Sequence, residues 1–92
     1  MAVVIVTLKI MPESPETDLN NLETQAKAKI IDFSETKEIK TEQEPVAFGL
    51  KALKITFVMD ESKGSTDSLE ENIKNIDGVN SAEAVDVRRA IG

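Results

Sequence analysis

Apolar and polar positions alternate from Ala2 to Met11, with Val4, Val6, Leu8 and Ile10 on one side and Thr7 and Lys9 on the other. A period of two in β-branched residues predicts a strand buried mainly on one face. Pro12 and Pro15 end it, since neither has an N–H to give a ladder. Thr17 then suits a helix N-cap, with Asp18 in the first turn where the helix dipole favours acid. Leu19, Leu22, Ala26 and Ile30 follow at spacings of three and four, the stripe of an amphipathic helix ending near Ile31. From Phe33 to Gln43, Phe33, Ile39 and Thr41 share a parity among charged neighbours, the composition of an edge strand. Glu44–Gly49 is a Pro-containing loop. Leu50–Met59 is a second strong strand, Leu53, Ile55 and Phe57 alternating with Lys54 and Thr56. The chain turns through Gly64 and enters a second helix at Thr66-Asp67, striped by Leu69, Ile73 and Ile76, with Gly78 at its C-cap. Val79 to Val87 is the last strand, Val85 and Val87 in phase.

The predicted order is β-α-β-β-α-β. An internal echo supports it: Met11, an acidic turn and Thr17-Asp18 in the first half answer Met59, an acidic turn and Thr66-Asp67 in the second. Two right-handed split β-α-β halves interleave into an α+β, ferredoxin-like sandwich, a four-stranded antiparallel sheet with two helices on one face. The second and fourth strands then lie at the edges. Ninety-two residues suffice for a single domain, 1–92.

Composition narrows the chemistry. The chain has no Cys and no His, which excludes thiol nucleophiles, His-based triads and the usual zinc sites. A net charge of −6 argues against a general phosphate-backbone binder. Met1–Met11 is apolar but short and interrupted by Lys9, so it is neither a signal peptide nor a membrane span, and a cytoplasmic location is expected. Pairs of acids at Glu13 and Glu16, Asp60 and Glu61, and Glu70 and Glu71 could hold a hard cation. Without EF-hand spacing they read as solvated surface, and no metal or cofactor is expected. Gly64-Ser65-Thr66-Asp67 lacks the Lys and spacing of a P-loop. The sheet could in principle stack RNA bases, but Leu50–Met59 offers only Phe57, whose parity with Leu53 and Ile55 places it in the core.

Two features stand apart. Phe48 follows Pro45-Val46-Ala47 and precedes Gly49, an aromatic with small neighbours between an edge strand and an inner one. Such a ring either anchors a partner's pocket or folds back to cap the core, and spacing leaves both open. Arg88 and Arg89 are the only arginines. Their donor forks suit carboxylate or phosphate, and a solvated strand end is the alternative.

Glu44-Pro45-Val46-Ala47-Phe48-Gly49-Leu50-Lys51, with the strand that follows, resembles the corresponding segment of the elongation factor 1-beta family, the nucleotide-exchange factors of translation. Met11–Asp18, Gly64–Asp67 and Asp86-Val87-Arg88-Arg89 are similar in position and type, and the likeness is to the archaeal form. The resemblance implies a non-enzymatic protein that releases GDP from elongation factor 1-alpha, and the two complete β-α-β halves predict a monomer. It implies that Phe48, flanked by Pro45, Val46, Ala47 and Gly49, enters an apolar pocket near the nucleotide site. It also implies that a basic residue matching Arg89, with Arg88 beside it, intrudes toward the magnesium. No direct contact with nucleic acid or membrane is implied. The rivals are a small-molecule regulatory module and an RNA-binding domain on the same fold.

Overall fold

The computed structural model describes residues 3–36 and 38–90. The strands are β1 (Val3–Pro12), β2 (Ile39–Pro45), β3 (Lys51–Asp60) and β4 (Val79–Ala90), and the helices are α1 (Leu19–Ser34) and α2 (Asp67–Lys74). The sheet order is β2-β3-β1-β4 with every neighbour antiparallel. This is the expected ferredoxin-like arrangement, with β2 and β4 at the edges. Ala2 and Lys37, which the strand assignments included, lie outside the described residues.

The core follows from period two meeting period 3.6. Val6, Leu8 and Ile10 of β1 and Leu53, Ile55, Phe57 and Met59 of β3 lie on one face. They pack against Leu22, Ala26 and Ile30 of α1 and Leu69 and Ile73 of α2. Each such large side chain, fully buried, contributes roughly 1.5–3 kcal/mol. The opposite face is mixed: Thr7 and Thr56 share a 3.1 Å hydroxyl contact and Lys54 pairs with Glu44 at 2.7 Å, beside half-buried Ile5 and Val58.

Three local expectations need correction. Helix α1 runs past Ile31 to Ser34, so Phe33 is helical and β2 begins only at Ile39. Ser34 is buried and its hydroxyl donates to the Ile30 carbonyl at 2.7 Å, extending the stripe by one more turn before Glu35 turns left-handed at the cap. The N-cap of α1 is Asp18 rather than Thr17, its carboxylate accepting from Asn21 N–H at 3.2 Å. Thr17 instead accepts from Ser14 N–H in the turn. Helix α2 stops at Lys74, and Gly78 sits beyond it at φ +93°, its carbonyl accepting from Glu13 N–H.

Strand β4 departs furthest from expectation. Val85 and Val87 are not in phase. Leu8 faces Ala84 and Thr7 faces Asp86, so Val85 is the extra residue of a β-bulge. Ala82 and Ala84 pack on the core, whereas Val85 and Val87 are exposed.

Candidate functional site

Phe48 is 93% exposed, so it does not cap the core. It lies in a tight turn over Ala47–Gly49, where its backbone is left-handed at φ 60°, ψ 33°, followed by Gly49 at φ +76°. A bulky residue held there costs roughly 1–2 kcal/mol, and the loop's own bonds maintain it. Val46 N–H donates to the Leu50 carbonyl at 2.8 Å, and Leu50 N–H to the Ala47 carbonyl at 3.2 Å. Pro45 pairs with Lys51 just below. The loop leans on the turn after β1: a Cβ on Gly49 would lie 3.8 Å from Pro15. Pro12, Ser14, Gln43, Gly49 and Lys51 help line a shallow cleft of about 310 Å³ here.

The two arginines part company. Arg88 pairs with Ile5 on the face away from the helices, and its Nε lies 3.0 Å from Asp86. Arg89 pairs with Val4 on the helix side, where one guanidinium nitrogen donates to both Glu61 oxygens at 2.6 and 2.8 Å. That carboxylate raises the Arg89 pKa further. Glu61 belongs to the turn Glu61–Lys63 before α2, in which Asp60 accepts from Ser62 N–H at 2.8 Å and is held below the ordinary carboxylate range. Lys63 in turn pairs with Glu35. Nothing in the sequence announces the Glu61–Arg89 pair, whose members are 28 residues apart.

Phe48 and Arg89 stand at opposite ends of the sheet. Ile10, opposite Leu53, marks the Phe48 end, and Val4, opposite Arg89, marks the other. Residues 4 to 10 of one strand, at about 3.3 Å each, put more than about 20 Å between them. The longest dimension of the molecule is 42 Å. One pocket cannot take both.

Other candidate features are already engaged. The Glu70 carboxylate accepts from Ala84 N–H at 2.6 Å, and Asp67 N–H donates to the Ser65 hydroxyl at 3.0 Å. Among the described residues no three metal-ligating side chains gather, and no helix is long and apolar enough to cross a membrane. Phe57 is fully buried, so it offers no stacking surface for bases.

What fold and surface define is a small α+β sandwich with its distinctive exposed groups at two ends. The chain belongs to the EF-1 guanine nucleotide exchange domain family, which it matches over residues 5–90. It is 40% identical over 89 residues to elongation factor 1-beta of Methanothermobacter thermautotrophicus, covering 97% of this chain and 98% of that one. To elongation factor 1-beta of Saccharolobus solfataricus it is 46% identical over 90 residues, covering 97% of each. Among solved structures, BlrP1 BLUF superimposes with a TM-score of 0.59 at 14% identity, covering 100% of this chain and 57% of that one. The de novo designed protein Foldit4 does so at 0.53 and 18%, covering 99% and 97%. These two likenesses concern the fold alone.

Proposed function

We propose that this protein exchanges GDP for GTP on elongation factor 1-alpha, acting as a cytoplasmic monomer without direct contact to nucleic acid. The observation that carries the reading is the family match over residues 5–90. An exchange factor makes and breaks no covalent bond, which suits a chain without Cys or His. It acts by preferring the nucleotide-free GTPase, and linkage then requires it to weaken nucleotide binding by the same factor.

The two ends divide the work. Phe48, with Pro45, Val46, Ala47 and Gly49 around it, is the anchor that enters an apolar pocket. Its exposure and its left-handed backbone support that role, since strain of this kind persists where a site requires it. Arg89 is the cation that approaches the magnesium and weakens its hold by charge repulsion, with Arg88 on the opposite face in a supporting role. The separation of the ends supports two distant contacts on the GTPase rather than one. The decisive assay is release of a fluorescent GDP analogue from elongation factor 1-alpha. Unaccelerated release at saturating protein would overturn the reading.

A further inference from the structure

We propose that Glu70 is a positioning residue for this exchange: it holds the bulge at Val85, and the bulge turns Arg89 rather than Arg88 to the helix side of the sheet. The inference rests on the exchange reading above. Along β4, Ala82 and Ala84 face Ile10 and Leu8 on the helix side. Regular alternation would continue with Asp86 opposite Val6 and Arg88 opposite Val4. The extra residue at Val85 shifts the phase, so Val87 faces Val6 and Arg89 faces Val4.

A bulge disrupts the ladder locally, and on an edge strand such as β4 an outward amide beside it has no strand to receive it. Here the Ala84 N–H points to Glu70 Oε1 at 2.6 Å, a charge-assisted bond from the first turn of α2. The turn just before that helix carries Glu61, which receives Arg89. One helix and its leading turn thus hold both the bulge and the side chain the bulge aims. The apolar pattern agrees with the phase, because the alternative would set Asp86 against Val6.

The test asks which arginine matters. In the wild type, Arg89→Ala should slow GDP-analogue release at saturating protein by about tenfold or more, and Arg88→Ala by far less. The triple variant Glu70→Ala, Asp86→Val, Val87→Asp removes the anchor and makes regular alternation the better apolar pattern. In it the sensitivity should pass to Arg88, and nuclear Overhauser contacts should pair Thr7 with residue 85 instead of Asp86. A folded triple variant that still depends on Arg89 overturns the inference. If neither arginine matters in the wild type, the inference falls together with the arginine role proposed above. Should the triple variant not fold, Glu70→Ala alone decides: its Ala84 amide should exchange hydrogen about tenfold faster or more, with Glu70→Gln close to wild type. Unchanged Ala84 protection in Glu70→Ala overturns the proposal.

Discussion

The two ends of the sheet present their side chains by opposite means. At one end the backbone does the holding: two main-chain bonds close the loop and keep Phe48 left-handed, its ring out in solvent. At the other end the backbone is ordinary strand, and a side-chain partner, Glu61, holds Arg89. The difference follows from chemistry. An exposed ring gains no packing that would orient it, so its direction must come from φ and ψ. A guanidinium can be held by a carboxylate, and the exposed pair exchanges partners at little cost.

The largest effect is expected at the loop. Phe48→Ala should cost roughly 2 kcal/mol or more of binding to elongation factor 1-alpha, at least about 30-fold in Kd. Its unfolding free energy should change by no more than about 0.5 kcal/mol, as for other exposed positions. Phe48→Gly sharpens the contrast: binding should be lost as fully, while the denaturant midpoint rises above that of Phe48→Ala because glycine accepts the left-handed backbone. Calorimetric titration and urea melts on both variants read this directly. A loss of several kcal/mol in stability would return the ring to the core.

Arg89→Ala comes next, about tenfold in release rate, and its effect should shrink with added salt more than that of Phe48→Ala. Combining Phe48→Ala with Arg89→Ala then tests whether the ends are independent. Groups this far apart should contribute additively, so, with all three variants read as kcat/KM for GDP-analogue release, the double variant's loss should be the product of the two single losses, within about twofold. A double variant no worse than Phe48→Ala alone would show that both ends serve a single contact.

The smallest effect concerns acid. Ser62 holds the Asp60 carboxyl below its usual range, as Lys63 does for Glu35 and Lys54 for Glu44. A carboxyl whose pKa falls on folding stabilises the protein above its unfolded value and loses that contribution as pH falls through the folded one. The urea midpoint should therefore hold from neutrality to about pH 5 and decline below about pH 4. Asp60→Asn removes one of these titrating carboxyls and should make the decline shallower, with any loosening confined to the turn around Ser62, where amide exchange would show it.

Much of this was legible in the residues. The alternation of Val6, Leu8 and Ile10, and of Leu53, Ile55 and Phe57, placed the inner strands, and the charged run before Pro45 marked β2 as an edge. Phe48 stood out among small neighbours. The reach of α1 to Ser34 was hidden because a buried serine breaks the apolar stripe while its hydroxyl satisfies the Ile30 carbonyl. Composition and period, being local, thus determined the fold class, the excluded chemistries and the two features worth following.

Tertiary structure decided the rest. The exposure of Phe48 depended on a pair of loop bonds that no spacing reports. The choice between Arg88 and Arg89 depended on one extra residue in β4, whose bulge reverses every later side chain and whose neighbour Ala84 gives its amide to Glu70, 14 residues earlier in the chain. The partnership of Arg89 with Glu61 arises only when β4 pairs with β1 and brings its end beside the turn after β3. A strand's face is set by counting from its pairing partner, and that count cannot begin until the partner is in place.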